Sequence, residues 1–213
     1  IGEMMSEIHN ILEQILDVDG HIRIRPYQVE LHSQHQHTIL WQTQKNSGLC
    51  ISHYGDESWL ATGEKQAITF HDAQGELGHE LRALALGMLH HGAGEGMLPI
   101  KWNTTKRIIR CSKRFGLWLQ KQNIAALHLI DTLPALRLRH LIDKYLTENN
   151  AQRHLHVAQD ISSALYWWKL YGIVQSTKIL ALFEEMLAPY IAKKSEYRQK
   201  HSIIPTRVMK ILL

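Results

Sequence analysis

Apolar residues recur at helical spacing near the start of the chain and again over its last half. Four of them show this spacing in the first segment: Met4, Ile8, Ile11 and Ile15. They predict an amphipathic helix over residues 3–18 that ends at Asp19-Gly20. Residues 76–91 predict a second helix, and the glycine-rich segment 91–96 follows it. We interpret that segment as a hinge, because it lacks the Lys-Ser/Thr pair of a phosphate-binding loop and follows a helix, not a strand.

Between these two helices the pattern changes to short apolar pieces separated by turn residues. The pieces lie at residues 21–25, 38–41, 49–51 and 67–70. Alternation in the first piece and the Gly, Asn and Asp residues between the others are typical of short strands. This stretch therefore predicts a small β-containing region.

After Pro99 the pattern is helical throughout. It predicts four helices with short connections, at residues 103–121, 133–147, 154–171 and 176–193. Asn103 is expected to cap the first and Pro134 to occupy the first turn of the second. Pro189 is expected to bend or end the fourth, and a further helix is expected after Pro205. The fold class is therefore mainly α.

Charge divides the chain of 213 residues into two halves. Residues 1–90 carry five Lys/Arg against twelve Asp/Glu, a net charge of −7. Residues 91–213 carry nineteen Lys/Arg against eight Asp/Glu, a net charge of +11, so the overall +4 hides the contrast. Lys and Arg that neutralise phosphates release counterions, and this split indicates nucleic-acid binding by the second half only.

One predicted helix concentrates this positive charge. Six cations fall on one face of the helix over 103–121: Lys106, Arg107, Arg110, Lys113, Arg114 and Lys121. At about 100° per residue they span about 120°, opposite a narrow apolar stripe around Ile108. No acidic residue lies between Asn103 and Lys121, whereas a solvated helix face normally mixes charges. The face predicts contact with DNA or RNA, with an ordinary basic surface as the alternative.

Other cations of the second half extend this hypothesis. Two of them, Arg153 and Lys178, are assigned to the same DNA-binding surface as the six. Trp168 is expected in the core, because Ile161 and Leu165 share its helical face.

The second half also resembles a known family. The segments TTKRIIRCSKRFGLWLQKQNI and HLHVAQDISSALYWWKLYGIV, on either side of a helix that ends in Tyr145-Leu146, are similar to helices of the SAM-like core-binding domain of tyrosine recombinases of the phage-integrase type. The pattern of a later family helix is matched here by Ala164-Leu165, Trp168 and Tyr171-Gly172. Residues 201–207 are similar to the lead-in to a catalytic domain, and the resemblance covers residues 100–213.

The resemblance implies a DNA clamp. In this family the domain grips one face of the recombination site, while a C-terminal domain cleaves the DNA with a Tyr nucleophile and with Arg and His residues that stabilise the transition state. The sequence holds no Arg…His-x-x-Arg…Tyr set at a plausible separation, so no catalytic residue is assigned, and those motifs are expected beyond Leu213. The chain is expected to bind double-stranded DNA without cutting it, as the N-terminal portion of an integrase acting in DNA integration and recombination.

Three parts follow from pattern, charge and resemblance together. Residues 1–95 form a small α+β region of unknown role, residues 96–200 the basic, SAM-like four-helix bundle that binds DNA, and residues 201–213 the start of a linker. The chain opens without Met and stops within an apolar run at Leu213, so we expect a fragment of a longer protein.

Other chemistry has weaker support in the sequence. His32, His35 and His37 have ligand-like spacing but no Cys or carboxylate partner at set spacing, so no metal site or cofactor is assigned. Cys50 and Cys111 fit no CxxC pattern and are expected to be free thiols in a reducing cytosol. There is no signal peptide and no apolar run long enough for a membrane, so a cytoplasmic protein without a membrane partner is expected.

Two other classes of function stay open. A non-catalytic DNA-binding regulator would share the basic bundle but would end near residue 213, and it would dimerise on a two-fold operator. A protein-interaction module would instead dock the basic helix on an acidic partner or on its own acidic N-terminal half. Oligomerisation of the chain on DNA is left open by the sequence.

Overall fold

The fold is mainly helical, with a small antiparallel strand region near the N-terminus, in agreement with the predicted class. The computed structural model describes residues 2–22, 34–45, 48–92 and 98–202. The strands are β1 (Ile39–Lys45), β2 (Gly48–His53), β3 (Ser58–Trp59) and β4 (Ile68–Thr69). The helices are α1 (Gly2–Ile15), α2 (Gly75–His90), α3 (Trp102–Lys121), α4 (Ala135–Glu148), α5 (His156–Leu170) and α6 (Thr177–Ser202). A 3-10 helix, Leu127–Thr132, lies between α3 and α4.

The strand region packs around a cluster of aromatic side chains. β1 and β2 form an antiparallel hairpin with Gln42 opposite Ile51, and β3 pairs with β4 with Trp59 opposite Ile68. Large rings pack between the two hairpins and the start of α3: Trp41, Tyr54, Trp59, Phe70 and Trp102. Strands this short are marginal alone, and the shared aromatic core stabilises them.

The N-terminus of α3 differs from the prediction. Lys101, not Asn103, is the N-cap residue, and its carbonyl accepts hydrogen bonds from the backbone N–H groups of Thr104 and Thr105 at 3.0 Å each. Trp102 is buried, and its indole Nε1 donates to the carbonyl of Gln66 at 2.8 Å. This tertiary contact cannot be read from the sequence. It favours a helix that begins at Trp102, one residue before Asn103.

The last helix also differs, because α6 continues through Pro189 to Ser202. Proline lacks an N–H and leaves the carbonyl four residues earlier, that of Glu185, without its helical partner. Both residues are exposed, so water can satisfy that carbonyl. The helix predicted after Pro205 and most of the alternating piece at 21–25 lie outside the described residues.

Helix α2 lies between the N-terminal elements and the bundle. Eleven of its sixteen residues are buried, and they include a run from Glu80 to Met88 without an exposed position. It packs on α3 so closely that a Cβ atom at Gly116 would lie 2.4 Å from Leu77 Cδ1. A Cβ atom at Gly87 would lie 2.7 Å from the ring of Tyr171. Glycine at both positions therefore permits close helix packing.

The bundle of α3 to α6 packs around the ring of Phe115. The ring centroids of Tyr145 on α4, Trp168 on α5 and Phe183 on α6 lie 4.9, 5.7 and 6.1 Å from it. Trp168 is fully buried, as predicted, and its Nε1 donates to the hydroxyl of Ser112 at 2.8 Å. Each helix of the bundle thus contributes one aromatic side chain to a common centre.

Contacts also join the parts on either side of residue 95. The carboxyl group of Glu80 on α2 accepts hydrogen bonds from the backbone N–H groups of Leu127 and His128 at 2.8 and 3.2 Å. The N–H of Ile100 donates to the carbonyl of Met88 at 2.8 Å. One hydrophobic cluster includes residues from both sides. The boundary itself lies in residues 93–97, outside the described part, and stays a prediction.

Within the described ranges, no helix combines the length and the apolar character needed to cross a bilayer. Cys50 and Cys111 are free thiols.

Candidate nucleic-acid interface

The surroundings of α3 limit its exposed face. Ten of its twenty residues are buried, because α2, α5 and β4 all pack on it. On a helical wheel these positions cover about 200°, so the apolar stripe is broad, not narrow as predicted. The remaining arc is about 160°, and all six predicted cations lie within about 120° of it.

Four of the six cations are exposed on this arc and form what we call the basic ridge: Arg107, Arg110, Arg114 and Lys121. None of them forms an ion pair within 4.0 Å with another described residue. Arg107 and Lys121 are fourteen residues apart, which is about 21 Å along the helix axis. The ridge is therefore a straight row of positive charge on a helix whose opposite face is buried in the core.

The other two cations, Lys106 and Lys113, contact the strand region. Lys106 Nζ donates to Oε1 of Gln66, and Lys113 Nζ donates to the hydroxyl of Thr69 at 3.2 Å. Burial lowers the pKa of Lys113, and the negative charge of Asp72 partly opposes that shift. The structure therefore separates the six predicted cations into four free ones and two that have protein partners.

An acidic residue borders the ridge, although none lies within α3 itself. Burial, followed by the charge and hydrogen bond of Asp160 on α5, raises the pKa of the Cys111 thiol to about 11, while Arg110 and Arg114 oppose the shift. All three charged groups are thus close to the same thiol. The basic face is bounded on this side by a carboxylate that the helical wheel cannot show.

No described contact joins the two predicted cations outside α3 to the ridge. Arg153 is exposed in the turn before α5, and Lys178 is exposed in the first turn of α6. Two other cations of the bundle have acidic partners, since Arg139 pairs with Glu185 at 3.0 Å and Lys144 lies 3.8 Å from a carboxylate oxygen of Glu148.

Histidines form no site in the part of the chain that the structure describes. There, no group of three or more His, Cys, Asp or Glu side chains is arranged to hold a metal ion. His35 and His37 belong to this part, whereas His32 lies outside it.

The sequence did not indicate the residues that hold the two flanking lysines. Gln66 and Thr69 are ordinary polar residues, forty or more positions before their partners. No spacing rule links a strand edge to a helix so distant in the chain. The only hint was the short apolar piece at 67–70, which predicted β4 but not what it packs on.

The ridge offers four cations in fixed register along one exposed face of α3. Comparison with known proteins adds no relative to this picture: no family model, no curated protein and no solved structure matches the chain.

Proposed function

We propose that this chain binds double-stranded DNA through the basic ridge, as the N-terminal, SAM-like core-binding portion of an integrase-type recombinase. The observation that carries the DNA-binding part is the row of four exposed, unpaired cations on α3. Duplex DNA presents one phosphate charge per about 1.7 Å of axis, so a row of about 21 Å faces many phosphates at once.

The shape of the ridge favours contacts with phosphates over contacts with bases. About 160° of the α3 wheel lies outside its buried positions, and the cations there are Arg and Lys side chains that can reach phosphate oxygens. Half to two-thirds of protein–DNA hydrogen bonds go to phosphate and sugar. Phosphate contacts position a protein without specifying sequence, so we expect similar affinities for unrelated duplexes.

The recombinase part of the proposal rests on the resemblance of residues 100–213 to the core-binding domain. The aromatic centre around Phe115, to which all four bundle helices contribute, is compatible with a compact clamp domain. Strand cleavage would belong to a separate catalytic domain, and no residue described above is assigned to it.

The experiment that tests DNA binding compares two double variants by fluorescence anisotropy with a 30-base-pair duplex, between 50 and 300 mM salt. Arg110→Gln with Arg114→Gln removes two ridge charges. Arg137→Gln with Lys169→Gln removes two exposed charges elsewhere. Four phosphate contacts give a slope of log affinity against log salt of about −3.6, and we expect the ridge pair to lower its magnitude by about 1.8.

The control pair is expected to change this slope little. The proposal is wrong if the unmodified chain shows no salt-dependent affinity at 50 mM salt. It is also wrong if both double variants lose affinity equally, because net charge and not the ridge would then explain the binding.

A protein-interaction module is the second candidate, and one observation favours it. Lys106 and Lys113 already contact the acidic N-terminal half through Gln66 and Thr69, with Asp72 near the second lysine. In that case α3 serves mainly to hold the chain's own N-terminal region. This candidate predicts no duplex affinity in the same titration.

A further inference from the structure

Strand β4 and the residue pair before it run alongside α3. Gln66 contacts Lys106 and Thr69 contacts Lys113, so the two contacts keep the same order along both elements. Seven helical residues span about 10.5 Å and three extended residues span about 10 Å. The matching lengths show that residues 66–69 run parallel to the helix axis, at one edge of its exposed face.

Hydrogen bonds from several elements hold this segment and the residues beside it in place. The carbonyl of Gln66 accepts the hydrogen bond from Trp102 at 2.8 Å, and the hydroxyl of Thr62 donates to the carbonyl of Gln42 at 2.9 Å. The backbone N–H of Phe70 donates to the carbonyl of Glu57 at 2.7 Å. The segment is therefore held against α3 independently of its two contacts with the lysine side chains.

The same segment presents polar and cationic groups to solvent. Lys65, Gln66 and Thr69 are exposed, and Lys65 forms no ion pair with another described residue. The nearest acidic neighbours in the chain are Glu64, which is half-buried, and Asp72, whose charge acts on Lys113. An exposed cation thus lies beside the edge of α3 within a half whose net charge is −7.

We propose that residues 65–69 form one flank of the DNA-binding surface, in which Lys65 contacts a phosphate directly while Gln66 and Thr69 hold Lys106 and Lys113 in position to contact the same backbone. This inference rests on the proposed function and assigns part of the binding surface to the N-terminal region. The partner is the phosphate backbone of a duplex, because amide, hydroxyl and ammonium groups can all donate hydrogen bonds to phosphate oxygens. When α3 lies on the backbone, no base edge is within reach of these groups.

The first test measures the salt dependence of duplex binding for Lys65→Gln, with Lys169→Gln as the matched control on α5. Loss of one phosphate contact is expected to reduce the magnitude of the slope of log affinity against log salt by about 0.9, so the loss of affinity grows about eightfold between 1 M and 0.1 M salt. Lys169→Gln is expected to leave both unchanged.

The second test is a double-mutant cycle of Gln66→Ala with Lys106→Gln. The backbone carbonyl that anchors the segment is retained in Gln66→Ala, so the fold is expected to persist, and circular dichroism checks this. If Gln66 positions Lys106, then Lys106→Gln costs less affinity in the Gln66→Ala background than in the unmodified chain. Additive losses would overturn the positioning role.

The two proposals fail in different ways. If the unmodified chain binds duplex and the ridge variants weaken it, while Lys65→Gln binds as the unmodified chain does, the flank is excluded and the ridge stands. If the unmodified chain shows no salt-dependent binding, both are excluded.

Discussion

His90, near the end of α2, is a single residue whose protonation is coupled to folding. Its ring stacks on Trp41 with centroids 5.9 Å apart, and its Nε2 is buried with no hydrogen-bond partner among the residues that the structure describes. Burial lowers the pKa of this histidine. The folded chain therefore holds His90 neutral at a pH where the unfolded chain protonates it.

We expect this histidine to make the folded state less stable in mild acid. Below the ordinary histidine pKa of about 6.5, the unfolded state binds a proton that the folded state does not, so the free energy of unfolding falls as pH falls. Urea unfolding at pH 7.5 and pH 5.5 measures this loss. In His90→Phe, which keeps an aromatic ring beside Trp41, the loss between the two pH values should be smaller.

The chain holds fifteen histidines, so the comparison needs a reference. His140→Phe replaces an exposed histidine on α4 and should leave the loss at its original size. An equal loss in the unmodified chain and in His90→Phe would contradict the interpretation.

At the scale of elements, the 3-10 helix has its N-terminal N–H groups satisfied by another helix. Glu80, only 1% exposed, reaches from α2 to the backbone N–H groups of Leu127 and His128. A polar group buried without a partner costs more than its hydrogen bond contributes when it is made. This carboxyl group therefore stabilises a segment 47 positions later in the chain.

Glu80→Ala is expected to lower the free energy of unfolding by about 2–4 kcal/mol, because the backbone N–H groups of Leu127 and His128 and the His128 ring all lose their carboxylate partner. Glu80→Gln keeps one acceptor oxygen and should lose less. Chemical denaturation measures both, with exposed Glu184→Ala on α6 as the control. Equal stability of Glu80→Ala and the control variant would show that water replaces the carboxyl group.

The elements that could be predicted from sequence are those whose own residues determine them. The periodic apolar positions gave α2 to α5 within a few residues, because each buries a face of its own. The pair β3 and β4 could be seen only in part, since two-residue strands depend on the aromatic cluster for stability. Of the two effects predicted for Pro189, the end of the helix is wrong, since α6 continues to Ser202, and the bend stays a prediction.

At the scale of the whole molecule, the difference in net charge between the two halves predicted only part of the candidate site. Of the five cations in residues 1–90, Arg82 is 7% exposed and donates to the carbonyls of Gly78, Gly55 and Asp56. Lys65 lies beside α3 instead. The net charge of the sequence counts Arg82 and Lys65 equally. Only the packing distinguishes a buried cation from an exposed one.

The packing of α2 on α3 has a consequence for dissection of the chain. A fragment of residues 98–202 would expose the face of α3 around Ile109 and Gly116, which α2 covers in the intact chain. We expect this fragment to lose cooperative thermal unfolding and to bind a hydrophobic dye, whereas the full chain unfolds in one transition. A fragment that unfolds cooperatively, near the temperature of the full chain, would show that the bundle is independent.

Continuous burial of α2 also determines how its residues tolerate replacement. In a library that substitutes every position, α3 should tolerate replacement at the exposed ridge positions and should not tolerate it at the buried positions between them. From Glu80 to Met88, α2 has no exposed position, so nearly every polar replacement there should be eliminated. Among the described elements, the most mutationally constrained one would then lie outside the proposed DNA-binding surface, and sensitivity to mutation would map the architecture and not that surface.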